Sequence, residues 1–225
     1  MEMRGTLIVL EGTDGSGKAT QAGLLLQSLE ARGLPCREID FPRYGNPFAE
    51  PANLYLHGAL GGRPGDVNAC AASAMFAVDR FASYQEDWGA FYESGGVVVA
   101  NRYTTSNAVH QASKLPAGER EDFLSWLFDL EYRRLGLPEP DLVIYLDMPT
   151  EAADRLMRRR EAETNTAADI HERDGDYLRR CRACAGEIAQ AQGWAVVDCA
   201  PGGVPRTPED IHREVDALVR DCLSR

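Results

Sequence analysis

The sequence lacks a long hydrophobic run and any block of basic residues. No apolar stretch approaches the roughly 20 residues that a membrane-spanning helix needs. No signal-peptide core precedes the first strand-like segment, so we expect a cytoplasmic protein without a membrane partner. There are 24 lysine and arginine residues against 35 aspartate and glutamate residues, and the formal net charge is −11. This balance argues against nucleic acid as a partner, although local groups can still bind a small phosphate ligand.

Close cysteine pairs are scarce as well. Of the six cysteines, Cys181 and Cys184 alone form a C-x-x-C pair. They lie in a helix-like stretch, where a spacing of three simply places both on one face. A zinc site would need a second pair of ligands at a suitable spacing, and the sequence offers none. We interpret the cysteines as structural thiols, with a redox or metal role as the alternative.

Strand-like and helix-like segments alternate along the whole chain. Short apolar runs that suit buried parallel strands lie at residues 6–11, 97–101, 142–147 and 194–198, and a further strand is expected at 36–41, before Pro42. Helical patterns cover about 21–32, 67–93, 105–113, 119–135, 150–161, 176–192 and 207–224, with one short helix near 51–60. The polar stretch 161–175 lacks apolar periodicity and predicts a mobile loop. This alternation indicates a single α/β domain with a parallel sheet flanked by helices.

A glycine-rich turn follows the first predicted strand and opens the first helix. Residues 12–18, Gly-Thr-Asp-Gly-Ser-Gly-Lys, match the G-x-x-x-x-G-K motif completely. Such a loop turns backbone N–H groups toward phosphate oxygens, and the lysine adds a charge near the β and γ phosphates. We therefore predict a three-layer P-loop kinase fold that binds ATP. The predicted ATP-binding residues are Gly12, Thr13, Gly15, Ser16, Gly17, Lys18, Ala19 and Thr20.

Ala19 stands where this motif ordinarily has a serine or threonine whose hydroxyl helps to hold Mg²⁺. Thr20 is one residue further along the helix and is rotated by about 100°, so it cannot simply replace that ligand. We expect water and phosphate oxygens to complete the Mg²⁺ shell, because Mg²⁺ readily keeps several waters. The sequence alone assigns no protein ligand to the metal.

The P-loop and its neighbours, Glu11 through Gln21, resemble the corresponding segment of the thymidylate kinase family. The resemblance extends from about residue 5 to residue 215 and includes the acidic residue inside the loop, Asp14. A carboxylate repels phosphate but accepts a hydrogen bond from a hydroxyl. The resemblance implies that Asp14 faces the sugar 3′-OH of an acceptor nucleotide; an aspartate that merely favours the turn is the alternative.

Two further segments resemble the acceptor-binding parts of that family. The segment Phe41-Pro-Arg43 matches the family's arginine that contacts the acceptor monophosphate, with an exposed loop arginine as the alternative. By the same resemblance, Phe76 stacks on the base and Arg80 hydrogen-bonds its edge. Their i,i+4 spacing places both on one helix face, although Phe76 taken alone would also suit a core position.

Asn101-Arg-Tyr103 corresponds to the family's Asp-Arg-Tyr/His signature. The resemblance implies that Arg102 bridges donor and acceptor phosphates, a role that suits its planar fork of donors. Asn101 replaces a carboxylate expected near Mg²⁺, so one negative charge is missing there. Ser106 and Gln111 fall where the family has Ser and Gln near the acceptor, and the amide of Gln111 offers both a donor and an acceptor to thymine.

Residues 155–175 correspond to the family's mobile lid, which closes over ATP. Within it, Arg158, Arg159 and Arg160 are candidates to reach the transferred phosphoryl group, while three arginines on a helix also suit a solvated face. Tyr177, just beyond the lid, is a further candidate for contact with the acceptor.

The resemblance implies transfer of the γ-phosphoryl group of ATP to dTMP, with Mg²⁺ as cofactor and a homodimer as the assembly. Lys18, Arg102 and Asp14 would be the catalytic residues. One alternative is a deoxynucleoside kinase acting on a free 5′-OH, which would need a carboxylate base near that hydroxyl. Another is a non-catalytic nucleotide-binding protein, which the departures at Ala19 and Asn101 favour.

Overall fold

The computed structural model describes residues 4–164 and 169–225, without the side chains of residues 158–164. Within the described residues, five strands form one sheet: β1 (Thr6–Glu11), β2 (Cys36–Asp40), β3 (Val97–Asn101), β4 (Leu142–Asp147) and β5 (Ala195–Asp198). The strand order is β2-β3-β1-β4-β5, and every neighbouring pair is parallel. The predicted α/β fold with a parallel sheet is confirmed.

Helices cover both faces of this sheet. In the described ranges the α-helices are α1 (Lys18–Ala31), α2 (Glu50–Leu56), α3 (Ala69–Ser83), α4 (Gly89–Glu93), α5 (Thr104–Ala112), α6 (Ala117–Phe128), α7 (Thr150–Thr164), α8 (Gly175–Gln192) and α9 (Pro208–Leu223). Two π-helical segments, Tyr84–Trp88 and Asp129–Arg134, extend α3 into α4 and lengthen α6. None of the helices in the described residues has both the length and the apolar character required to span a membrane.

The alternation of side chains along β1 divides the core into two halves. Ile8 and Leu10 point into one apolar cluster, which includes the buried residues of α1 and α9. Leu7 and Val9 point to the opposite face, where Trp88 belongs to an aromatic cluster. Because both faces of the sheet are covered, the inner strands β1, β3 and β4 are almost wholly apolar and buried, whereas the edge strand β2 carries three charged residues.

All five strands end at the same edge of the sheet, because all are parallel. Asp40 and Asn101 are register partners at the ends of β2 and β3, and Leu10 also pairs with Asn101. In open α/β sheets, ligands bind outside the carboxyl ends of the strands. This edge therefore carries the candidate site.

Several element boundaries differ from the sequence-based expectations. Helix α1 begins at Lys18, three residues earlier than expected, because its first turn is polar and carries no apolar periodicity. Helix α7 continues through Thr164, so residues 161–164 are helical rather than part of a loop. Residues 165–168 of the predicted loop lie outside the described residues. Residues 169–174 form a turn that leads into α8.

Candidate active site

A cleft of about 880 Å³ opens at the carboxyl edge of the sheet. Its walls come from the P-loop, the ends of β2 and β3, helices α3 and α5, and the turn at residues 169–172. The sequence-predicted residues that line it are Asp14, Gly15, Ser16, Gly17, Lys18, Ala19, Thr20, Phe76, Arg80, Arg102, Ser106 and Gln111. Gly12, Thr13, Arg43 and Tyr177 do not line it. One cleft thus joins most of the residues expected at the donor and acceptor sites.

The P-loop has the backbone geometry that its glycines permit. Gly15 has a φ of +78°, and a Cβ added there would meet the backbone oxygen of Ala153 at 2.5 Å. Gly17, with a φ of 92°, caps α1 from the left-handed region that favours glycine. The side-chain oxygens of Thr13 and Ser16 are buried and have no hydrogen-bond partner in the described structure. The loop is therefore shaped for a ligand by its backbone and retains polar groups for it.

Lys18 is held over the P-loop by two backbone carbonyls. Its Nζ donates hydrogen bonds to the oxygens of Gly12 at 2.8 Å and Thr13 at 2.9 Å. Burial lowers the pKa of Lys18 to about 8, and the charge of Arg102 acts in the same direction, while Asp14 opposes it. An anionic ligand would favour the charged lysine, because opposite charges at short range stabilise the ionised form.

Arg102 joins the P-loop to the end of β3. Its φ of 71° is in the left-handed region, which is uncommon for a residue other than glycine, and its backbone N–H donates to Leu10. Its guanidinium forms a salt bridge with Asp14, and another of its nitrogens lies 3.4 Å from Nε2 of His110. Burial alone would raise the pKa of Asp14, but the charges of Arg102 and Lys18 outweigh burial and hold it well below the usual range.

Arg80 lines the cleft from α3 and is anchored by Glu131, which was not among the sequence-predicted site residues. Its Nε and one terminal nitrogen donate to Glu131 at 2.6 and 2.5 Å, and Thr104 donates to the same carboxylate. Arg80 is 1% exposed and Glu131 is fully buried. The i,i+4 spacing of Phe123, Leu127 and Glu131, with two apolar members on the buried face, is the sequence signal that indicates a buried acid.

Gln111 is buried in the wall of the cleft, with both amide atoms unsatisfied. Its Oε1 and Nε2 have no hydrogen-bond partner among the described residues, and the side chain is 0% exposed. A buried amide without partners is costly, and Gln111 lines the cleft, so a ligand edge with one donor and one acceptor would satisfy it. Phe76 also lines the cleft and packs edge-on against Tyr55. Ser106, by contrast, donates its hydroxyl to Glu11 at 2.8 Å.

Arg43 and Tyr177 differ from their expected positions. Arg43 donates its Nε and its backbone N–H to the buried Asp79, at 2.7 and 2.9 Å, and so turns away from the cleft. The neighbouring Tyr44, 66% exposed, lines the cleft instead. Tyr177 is 1% exposed and donates its hydroxyl to the backbone oxygen of His110 at 2.9 Å. In this structure it supports His110 and does not reach the cleft.

Two stacked histidines connect the acceptor wall to the turn at residues 169–174. The rings of His110 and His171 are 5.2 Å apart and nearly parallel, and Nε2 of His171 lies 2.9 Å from the hydroxyl of Tyr55. Burial, with a further contribution from Arg102, lowers the pKa of His110 to about 3. His110 is therefore neutral at physiological pH and contributes shape and hydrogen bonding rather than charge.

Two side chains that carry oxygen atoms lie at the adjacent ends of β2 and β3. Asp40 and Asn101 both line the cleft, and Oδ1 of Asn101 is buried without a partner in the described structure. Partial burial raises the pKa of Asp40, while the charges of Arg102 and Lys18 and a hydrogen bond from the Asn101 amide oppose that rise. In the described ranges no three His, Cys, Asp or Glu residues converge as a metal site.

The cysteine pair has the character of structural thiols. Cys181 and Cys184 are free and buried on α8. Burial raises their pKa values to about 12 and about 11, so both stay protonated at neutral pH. This protonation disfavours a redox or zinc role, because the thiolate is the reactive and metal-binding form.

The sheet topology and the P-loop with its lysine define a P-loop kinase. The family model described as thymidylate kinase matches residues 10–211. The chain therefore belongs to the thymidylate kinase family, whose members are nucleoside monophosphate kinases.

Individual relatives agree with this assignment. The chain is 35% identical over 190 residues to thymidylate kinase from Mycobacterium tuberculosis, covering 84% of this chain and 87% of the relative. It is 27% identical over 228 residues to thymidylate kinase from Homo sapiens, covering 98% and 92%. The solved structure of thymidylate kinase from Candida albicans matches with a TM-score of 0.70 at 20% identity, covering 97% and 92%. That structural match supports the fold.

Proposed function

We propose that the protein transfers the γ-phosphoryl group of ATP to the 5′-phosphate of dTMP, giving dTDP and ADP. Family membership gives the reaction class. The observation that carries the assignment to this chain is the single cleft, with Lys18 of the P-loop at one end and the unsatisfied amide of Gln111 at the other. A phosphate chain suits the first end, and a pyrimidine edge suits the second.

On the acceptor side, the base lies against Phe76 while Gln111 and the remaining donor capacity of Arg80 read its edge. Thymine offers one ring N–H donor flanked by carbonyl acceptors, which a glutamine amide can match with two hydrogen bonds. Because Glu131 fixes Arg80 through two of its nitrogens, the arginine is presented in one orientation. Asp14 is ionised and can accept a hydrogen bond from the sugar 3′-OH.

On the donor side, the P-loop backbone and Lys18 bind the β and γ phosphates of ATP. Mg²⁺ bound with ATP would neutralise part of the phosphate charge. The oxygen groups of Asp40 and Asn101 at the strand ends fit such a hard cation, because Mg²⁺ prefers oxygen ligands and commonly takes one or two carboxylates with substrate phosphates.

During transfer, an oxygen of the dTMP phosphate forms a bond to the γ-phosphorus while the bond to the β,γ-bridging oxygen breaks, and ADP leaves. Little proton chemistry is needed, so positioning and charge stabilisation dominate. Arg102 and Lys18 act on the equatorial oxygens. The contribution of Arg158, Arg159 and Arg160 lies outside the described side chains and stays a prediction, as do lid closure, the homodimer and the cytoplasmic location.

The test is a coupled ADP-release assay with ATP and Mg²⁺ and a panel of dTMP, dUMP, dCMP, dGMP and thymidine. We expect turnover with dTMP to exceed turnover with every other acceptor. Preferred phosphorylation of thymidine would instead favour a deoxynucleoside kinase, and ATP binding without transfer to any acceptor would favour a nucleotide-binding protein. Lys18→Ala should abolish turnover while circular dichroism reports an intact fold; retained activity would contradict the proposal.

The role of Gln111 has a separate readout. Gln111→Leu keeps a similar volume and removes both hydrogen-bonding atoms, so we expect the KM for dTMP to rise about 10- to 100-fold while the KM for ATP is unchanged. An equal rise in both KM values would contradict a base-reading role.

A further inference from the structure

Asp40 and Asn101 lie side by side where the two strands end at the cleft. They are register partners of β2 and β3, and both line the cleft that also contains Lys18 and Arg102. Asp40 supplies a negative charge at the end of β2, and Asn101 supplies a neutral amide at the end of β3.

Asn101 pairs in register with Asp40, and one of its polar atoms has no partner among the described residues. The amide of Asn101 opposes the rise that burial causes in the pKa of Asp40. Its Oδ1 has no partner among the described residues, although the side chain is only 8% exposed. A buried carbonyl oxygen of this kind is costly unless a ligand satisfies it, and a hard cation is a ligand that an amide oxygen can take.

The other carboxylates near the cleft have partners already. Glu11 accepts hydrogen bonds from Gly12 and from the hydroxyls at the start of α5. Asp14 forms salt bridges with Arg102 and Lys18. Asp169 accepts the backbone N–H groups of the turn that it begins. Asp40 forms no ion pair in the part of the chain that the structure describes, so its charge is available to a cation.

We propose that Asp40 and Asn101 together bind the Mg²⁺ that accompanies ATP, with Asp40 providing the charge and Asn101 an amide oxygen. This inference deepens the proposed function and rests on it for the identity of the nucleotide. One carboxylate and one amide oxygen suit the same ion, because Mg²⁺ takes oxygen ligands and needs as few as one carboxylate beside the substrate phosphates. In this chain the metal-binding charge is thus carried by β2, and the neutral residue of β3 is its partner.

The experiment measures metal binding directly, with Mn²⁺ as the probe and without phosphoryl transfer. The protein is saturated with the imido analogue of ATP, which cannot be cleaved at the β,γ position, and free Mn²⁺ is measured by electron paramagnetic resonance. We expect Asp40→Asn to weaken Mn²⁺ binding to this complex at least 10-fold. Glu38→Gln is the matched control, because Glu38 lies two residues earlier on β2 and does not line the cleft; it should bind Mn²⁺ as the parent does.

The exchange of the two residues distinguishes a metal site from a general loss of charge. Asp40→Asn combined with Asn101→Asp returns one carboxylate to the pair on the neighbouring strand, and we expect it to recover most of the Mn²⁺ affinity. Unchanged affinity in Asp40→Asn, or a loss that the exchange does not recover, would overturn the proposal. A thermal unfolding curve for each variant verifies that it is folded. The measurement uses no acceptor, so the choice between dTMP and other acceptors does not affect its outcome.

Discussion

At the scale of single residues, the cleft depends on charges that are buried together and balance one another. Arg102 adopts a left-handed backbone conformation that costs on the order of 1 kcal/mol. It then reaches Asp14 on one side and His110 on the other. Strain of this kind persists only where the surroundings hold the residue in place. Here a backbone hydrogen bond to Leu10 and the salt bridge to Asp14 fix the guanidinium between the two ends of the cleft.

The buried pair of Arg80 and Glu131 gives a direct test of this balance. Glu131→Gln removes the negative charge and leaves the guanidinium of Arg80, 1% exposed, without a counter-charge. We expect the free energy of unfolding to fall by about 3 kcal/mol, and the KM for dTMP to rise because Arg80 is no longer held. Urea unfolding and steady-state kinetics measure the two effects.

Glu187→Gln is the control for that variant. Glu187 pairs with Arg120 at 2.6 Å but is 66% exposed. Its loss should change the free energy of unfolding by about 0.5 kcal/mol or less, because solvent screens exposed ion pairs. Equal effects of the two substitutions would contradict the importance of the buried pair.

The carboxyl group of Asp169 should make the stability of the protein depend on pH. Burial, followed by the charge of Asp14, raises the pKa of Asp169 to about 6, against hydrogen bonds from Glu172 and His171. The folded pKa exceeds the unfolded value of about 4, so the parent loses stability from this group as the pH rises from about 4 to about 6. The difference between the folded and the unfolded pKa corresponds to about 3 kcal/mol of stability. Solvent screening reduces this contribution to about 1 kcal/mol.

Asp169→Asn keeps an oxygen for the two backbone N–H groups and removes the charge. We measure the free energy of unfolding of the variant and of the parent in urea, at pH 4 and at pH 7. The difference between variant and parent should be about 1 kcal/mol more favourable to the variant at pH 7 than at pH 4. If the free energies of unfolding of variant and parent differ by the same amount at both pH values, the altered hydrogen bonds, rather than the charge, determine the effect.

The sequence predicted side chains well where the backbone itself fixes their position. Lys18 and the P-loop glycines follow from the motif, because loop and helix dictate where they point. Arg43 was expected in the cleft but turns toward Asp79, because a buried carboxylate needs a cation as its partner. Glu131 and Asp40 were missed because their roles depend on neighbours that are distant in sequence.

At the scale of elements, the two π-helical segments decide which side chains face the cleft. The segment Asp129–Arg134 extends α6 and directs Glu131 to the buried side. The segment Tyr84–Trp88 joins α3 to α4 and buries Trp88 completely. Periodicity predicted both as continuous helices, at about 119–135 and 67–93. The apolar periodicity of the sequence does not reveal the one extra residue of a π-helical segment, because that residue shifts the apolar pattern by less than one helical turn.

Gly89 is the residue that permits the first of these segments. Its N–H donates to the carbonyl of Tyr84, and a Cβ at position 89 would meet that oxygen at 2.5 Å. Gly89→Ala should therefore destabilise the protein by about 1–3 kcal/mol, as other overpacking changes do. Thermal or urea unfolding measures this loss.

Gly186→Ala is the matched control for Gly89→Ala. Gly186 is an exposed position within α8 where an added Cβ meets nothing within 4 Å. Alanine favours the helix there by about 0.5–1 kcal/mol. Opposite signs for the two substitutions are the expected result. A stabilising Gly89→Ala would mean that the π-helical segment is not required.

At the scale of the whole molecule, the parallel sheet gathers residues that are far apart in sequence. The P-loop, Asp40, Asn101 and Gln111 meet because every strand ends at one edge. This convergence follows from the alternating strand and helix pattern, so the sequence predicted the fold class and the location of the site. It did not predict how α3 and α5 pack against each other, and this packing sets which side chains line the acceptor part of the cleft.

A continuous cleft predicts strong binding of one ligand that spans both ends. Adenosine and thymidine joined through five phosphates would occupy the P-loop and the Gln111 wall at once, losing translational freedom once rather than twice. At 100 times its Kd, such a ligand stabilises the folded state by about 2.7 kcal/mol, and a chain of this length should then gain about 5–10 °C in Tm. A shift no larger than that given by dTMP and the imido analogue of ATP together would contradict a continuous cleft. The analogous compound with adenosine at both ends is the control: it retains the phosphate chain but offers Gln111 a purine, so a smaller shift is expected if the amide selects the pyrimidine.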